Sequence, residues 1–209
     1  MAERLTPERR MQRTRDALLE AAISVFAKRG FHGASLDEIA ESAGYTRGAI
    51  YKHFADKEEL LNAACGRLNE RVIAEFDAVP SAATPLEQYQ QQDVAAVAEE
   101  WRHLILDREF VAVMLEYQLY AIRNPEARVR ARAFAQANQQ RIATYIRALT
   151  ARTGEHIPIA IEDLAGIFGI ASDGFSQARL IDDDAARLFE LFLSIFIRGL
   201  QAMIDEQTA

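Results

Sequence analysis

A single cysteine, Cys65, excludes an intramolecular disulfide and any metal centre built from several thiolates. Prolines number five and glycines ten in 209 residues, too few for a turn-rich β fold and well suited to long helices. No apolar run approaches the roughly 18 residues of a membrane-spanning helix, and the opening MAERLTPERRMQRTRD is charged, with no apolar signal core. A soluble cytoplasmic chain without a membrane partner is expected. Catalytic signatures are missing too: there is no G-x-S-x-G, H-E-x-x-H, phosphate-binding loop or strand-flanked dinucleotide fingerprint. The chain is therefore expected to be no enzyme, and to need no cofactor and no metal.

What the chain does have is apolar mass, since half of its residues are hydrophobic; that supports a sizeable core and excludes general disorder. Its net charge of −7 hides an asymmetry. Residues 1–55 carry nine Lys/Arg and seven Asp/Glu, a balance of +2, which leaves 15 basic and 24 acidic residues, or −9, for the rest. Such a split suggests a small module that meets an anion, joined to a larger body that does not.

The hydrophobic periodicity is helical throughout. Leu18, Ala21, Ala22, Val25 and Phe26 form one apolar stripe, and Gly30 is expected to close that helix with a left-handed cap. Ser35 and Glu38 read as a capping box for a short second helix through Leu36, Ile39, Ala40 and Ala43. Gly44 ends it, and Thr46 is the expected N-cap of a third helix, RGAIYKHF. Asp56 and Glu59 start a long fourth helix running to about residue 77. Thr84-Pro85-Leu86-Glu87 and Asn124-Pro125-Glu126 begin further helices with a cap and an N1 proline. The last two span about 160–180 and 184–205, where the acidic run 182–184 serves as cap and first turn. No strand pattern or internal repeat occurs. The expected fold is all-α with about nine helices and a boundary near residue 55, where the helix 56–77 links residues 1–55 to the larger part, residues 56–209.

Two short helices joined at Gly44 have the spacing of a helix-turn-helix. Ala40 is small enough for close helix approach, Ile39 and Ile50 supply an apolar contact, and Gly44 permits the positive φ of a sharp turn. An ordinary αα-corner has the same elements, but its second helix need not be cationic. This one exposes Arg47, Tyr51, Lys52 and His53, and its first turn is kept small by Gly48 and Ala49. Arg47 is long enough to reach the O6 and N7 of guanine, while Tyr51, Lys52 and Lys57 are placed for phosphates. Asp37 is out of place on a surface meant for a polyanion. The basic residues Arg4, Arg9, Arg10, Arg13 and Arg15 form either an arm that touches DNA or a solvated tail.

The stretch FAKRGFHGASLDEIAESAGYTRGAIYKHFADKEELL resembles the DNA-binding domain of the TetR family of transcriptional repressors. That resemblance implies a homodimeric all-α protein whose head binds double-stranded operator DNA and whose divergent C-terminal domain binds a small-molecule effector. Carried over by position, Ser35, Tyr51, His53 and Lys57 would contact phosphate or backbone. Tyr45, Thr46, Arg47, Gly48 and Ala49 would face base edges. Phe31 and Phe54 are expected in the core, and His53 has an equally good structural reading as a backbone partner. The alternative is a helical ligand-binding or enzymatic protein with a vestigial helix-turn-helix.

Beyond residue 80 the residues give architecture and little chemistry. In ARLFELFLSIFIRGLQAM the apolar positions cover two faces, which demands burial on both sides, either by a core and a second subunit or at the centre of a monomeric bundle. Phe168, Phe175, Phe189, Leu193, Phe196 and Ile197 are the expected dimer contacts. Trp101, Phe110, Met114, Tyr117, Phe134, Phe168 and Phe175 are the candidate pocket lining for an apolar or aromatic effector. Cys65 reads as a small buried filler.

Overall fold

The computed structural model describes residues 6–78, 108–153 and 157–208, and among these it contains helices and no strand. Eight helices are present: α1 Pro7–Gly33, α2 Leu36–Ser42, α3 Arg47–Ile50, α4 Lys57–Ala78, α5 Arg108–Arg123, α6 Pro125–Thr153, α7 Ile161–Ala178 and α8 Ala185–Thr208. The all-α expectation is met. The helix expected to start at Thr84-Pro85 lies outside the described residues. No helix among the described residues is long and apolar enough to cross a membrane, and none of their His, Cys, Asp or Glu side chains form a group able to hold a metal ion.

The chain separates into two compact units, residues 1–74 with 108–125, and residues 75–107 with 126–209. The first unit takes in α4 as far as Ala74 and the whole of α5.

In the first unit α1 supplies the central face. Leu18, Ala22 and Phe26 of the expected stripe are buried, joined by Leu19 and Ile23. Helix α1 starts well before that stripe: Thr6 accepts from the Arg9 amide at 3.3 Å and Pro7 sits in the first turn. Arg9, Arg10, Arg13 and Arg15 therefore lie on a helix and form no arm; Arg4 is outside the described residues. At Gly30 the helix breaks with φ 70° and ψ 167°. The φ is positive as expected, but ψ is far from the left-handed helical value, so the chain bends sharply instead of capping. The bend exposes the Phe31 amide, which donates to the Glu116 carboxylate of α5 at 2.8 Å. Tyr120 of α5 adds to this seam, with its ring 5.4 Å from that of Phe31 and its hydroxyl donating to Glu58 of α4.

Helix α4 is started by a reciprocal cap. The Glu59 amide donates to Asp56 at 2.7 Å, and the Glu59 carboxylate reaches back to the Ala55 amide at 2.6 Å. Leu60, Leu61, Ala64, Cys65 and Leu68 are buried along its inner face. Burial pushes the Cys65 thiol up to about 12, so it stays protonated and behaves as an apolar filler.

The second unit is built on α7 and α8. Phe168, Phe189 and Leu193 form a core with Ile142, Phe175, Phe192 and Phe196 packed around it, and a second core joins Ile157, Leu164 and Ile204. At Gly166 of α7 an added Cβ would fall 2.9 Å from the Gln139 side-chain nitrogen, the far end of a flexible side chain; at Gly174 nothing lies within 4 Å.

Candidate nucleic-acid interface

Two short elements and the turn between them position the site. Helix α2 begins at Ser35, whose hydroxyl accepts from the Glu38 amide at 3.1 Å. Only this half of the expected capping box forms, because the Glu38 carboxylate is drawn to Arg29 instead, at 3.2 Å. Helix α2 ends in a Schellman arrangement: the Tyr45 amide donates to the Ala40 carbonyl at 2.8 Å and the Gly44 amide to Glu41 at 3.0 Å. Gly44 carries the φ of 74° that this geometry needs.

Thr46 is extended and starts α3, but its side chain makes no capping hydrogen bond. The start is held by the backbone, with the Ala49 amide on the Thr46 carbonyl at 2.8 Å. Regular helix lasts only from Arg47 to Ile50, shorter than the RGAIYKHF span, and turns continue it to Phe54, whose amide donates to Ile50 at 2.9 Å. Ile39, Ile50 and Phe54 are buried under the motif. Arg15 of α1 locks its far end, donating to the His53 carbonyl at 3.2 Å with its guanidinium 4.5 Å above the Phe54 ring.

The structure brings the expected reading residues onto one surface. Tyr45, Thr46, Arg47, Gly48, Tyr51 and Lys52 are exposed, as is Ser35 at the start of α2; Ala49 is half-buried. Arg47 is the best organised of them. Its Nη1 donates to Asp37 at 3.0 Å and its Nη2 to the Tyr51 hydroxyl at 3.1 Å. The Tyr51 hydroxyl and then the Asp37 carboxylate raise the guanidinium pKa further above its usual value. This accounts for the acid at position 37.

Two of the expected phosphate or backbone contacts have partners inside the head. The Lys57 ammonium donates to the Ala34 carbonyl at 3.0 Å and lies 4.7 Å from the Phe31 ring centroid, so it holds α4 to the bend after α1. His53 is half-buried, and burial together with Arg15 and Lys52 lowers its pKa, which leaves it neutral at pH 7. What Arg15 holds is the His53 main-chain carbonyl, not its imidazole. Sequence reasoning missed Arg15, Glu116 and Tyr120 as organisers of the head, and their partners lie 38, 85 and 62 residues away. For the α1 start, a signal was present: Thr6-Pro7 repeats the cap-and-proline pattern recognised at Asn124-Pro125.

The candidate pocket residues divide between the units. Phe110, Met114 and Tyr117 lie on α5 in the first, with Tyr117 buried, while Phe134, Phe168 and Phe175 lie in the second; Trp101 is outside the described residues. Phe168 and Phe175 belong to an aromatic cluster with α8, with centroids 5.7 Å from Phe168 to Phe196 and 5.3 Å from Phe175 to Phe192. Of the expected dimer contacts, Phe189 and Leu193 are buried inside their own unit, and Phe196 and Ile197 are half-buried. The apolar surface of these helices that stays exposed is Ile167 and Ile170 on α7 and Leu188, Leu191, Ile195 and Met203 on α8.

This geometry is that of a helix-turn-helix with an exposed cationic edge. Residues 18–64 match the bacterial regulatory proteins of the tetR family. Over 77 residues it is 39% identical to the HTH-type transcriptional repressor KstR2 of Mycobacterium tuberculosis, covering 36% of this chain and 38% of that one. Such matches span about a third to a half of the length of the curated relatives. The fold resembles a solved transcriptional regulator from Saccharomonospora viridis in complex with choline, with a TM-score of 0.71, 22% identity and coverage of 88% and 95% of the two chains. It also resembles Bacillus subtilis FadR in complex with stearoyl-CoA, with a TM-score of 0.66, 19% identity and coverage of 88% and 98%.

Proposed function

We propose that the chain acts in the cytoplasm as a homodimeric repressor that binds a palindromic operator and releases it when a small molecule occupies the C-terminal region. The observation that carries this reading is the α2–Gly44–α3 edge, where Arg47, Tyr51 and Lys52 stand exposed on a buried Ile39–Ile50–Phe54 base. A vestigial motif has no need of a rigidly supported cationic face. Arg47 reads base edges with Tyr45, Thr46, Gly48 and Ala49 around it, and Ser35, Tyr51 and Lys52 hold phosphates beside it.

Self-association rests on the stripe of Ile167, Ile170, Leu188, Leu191 and Ile195, exposed side chains too apolar and too contiguous in helical register to favour water. A two-fold dimer spaces its recognition helices by one helical repeat of DNA, so a small change in that spacing weakens binding steeply. The effector is a largely apolar molecule. The differing ligands of the two structural relatives, choline and stearoyl-CoA, support ligand response while leaving its chemistry to be found.

Footprinting of the DNA upstream of the chain's own gene tests the reading. Wild type should protect a palindrome, and Arg47→Ala should lose that protection. Binding should also weaken with salt by about 0.9 log units per log unit of salt for each phosphate neutralised. An unprotected upstream region, or equal protection by the variant, removes the specific-repressor reading.

A further inference from the structure

Asp37 stands in the first turn of α2, exposed, on the surface proposed to meet a polyanion. Its position is not explained by helix capping, since Ser35 already caps α2. Stability does not explain it either, because its pair with Arg47 is solvent-exposed at both ends, and such pairs contribute little. What the pair does is geometric. Asp37 on Nη1 and Tyr51 on Nη2 grip the guanidinium from two sides, and its carbon lies 5.7 Å from the Tyr51 ring centroid. A guanidinium has five N–H donors, of which these contacts use two. Enough remain for the paired O6 and N7 acceptors of guanine.

We infer that Asp37 is a specificity-determining residue, which with Tyr51 presets the Arg47 guanidinium as a guanine reader and lowers its attraction to phosphate. The inference rests on the DNA-reading conclusion above. An unrestrained arginine gains from any phosphate it reaches, so it raises affinity for all sequences alike. Paired with a carboxylate it carries no net charge. A phosphate then meets the Asp37 anion beside the cation, whereas a guanine edge offers two fixed neutral acceptors that match a held fork. Asp37 thus trades overall affinity for discrimination.

Asp37→Asn keeps the side-chain shape and removes the charge. The full-length variant and wild type would each be used to select from a pool of randomised duplexes, and then titrated against the selected duplex and a scrambled one. Asp37→Asn should bind scrambled DNA more tightly than wild type does. It should lose about tenfold in the ratio of selected to scrambled affinity and relax the preference at a guanine position, within the discrimination that one bidentate contact supplies. Tyr51→Phe should lose part of that ratio. In an Arg47→Ala background Asp37→Asn should leave the base preference unchanged, and an unaltered thermal midpoint separates these effects from misfolding. A wild type that selects a sequence while Asp37→Asn keeps the same ratio overturns the inference alone. A wild type that selects nothing overturns the DNA-reading conclusion, and the inference with it.

Discussion

The two units use similar apolar material to different ends. In the first, each helix has one buried face, and polar side chains fasten its seams: Glu116 at the Gly30 bend, Lys57 on Ala34, Arg15 on His53. In the second, α8 is apolar on two faces and only one is covered, by α7 and the aromatic cluster. The second unit has polar seams as well, Gln139 and Arg147 of α6 on Glu162 of α7, but it also leaves an exposed apolar stripe on α7 and α8.

The sharpest way to break that comparison is within α8. Leu193→Ala empties a position that is 3% exposed and should lower stability by about 2–5 kcal/mol, read from the urea midpoint. Leu191→Ala, two residues away and 52% exposed, should leave that midpoint nearly unchanged at fixed association state and weaken self-association in sedimentation. Equal unfolding costs at the two positions would show that the covered face has been misassigned.

A smaller effect tests the seams of the first unit. Gly30→Ala forces an L side chain to φ 70° and ψ 167° and places its Cβ 2.9 Å from the Glu116 carboxylate, which also holds the Phe31 amide. A loss of about 3 kcal/mol is expected from strain at a glycine-only conformation. Gly44→Ala meets no atom within 4 Å and should cost only about 1 kcal/mol, from its positive φ alone. Urea unfolding of the two variants side by side would check the order.

The effect of Cys65 is confined to high pH. Its folded pKa, about 12, stands above the unfolded value near 8.5. The folded state therefore keeps a proton that the unfolded state gives up. The stability this contributes is fully present below about pH 8.5 and is lost as pH rises towards 12, by about 1.4 kcal/mol per pH unit at most. Cys65→Ala should flatten that part of the stability–pH curve, and the native thiol should resist thiolate-directed reagents at pH 8. A wild type as flat as the variant would show that the thiol is not buried.

Much of the head was legible because its signals are local. The Schellman turn at Gly44, the Asp56–Glu59 cap and the buried Leu18–Phe26 stripe each lie within a few residues, and all three appear as read. Arg47 was legible as an exposed arginine. Its grip by Asp37 was not, since the partner sits ten residues back across a turn. The same holds for the hydrogen bond of Lys57: nothing near it in sequence reveals the carbonyl of Ala34.

By itself, then, the sequence determined the helical class, the turn at Gly44, the caps at Ser35 and Asp56 and the cationic edge, because periodicity and capping act over three to four residues. Only the tertiary structure decided which face of α8 is covered, that α5 belongs with the head, and that Asp37 holds Arg47. Those outcomes depend on which distant segments meet, and an apolar or charged side chain accepts many partners equally well until the fold selects one.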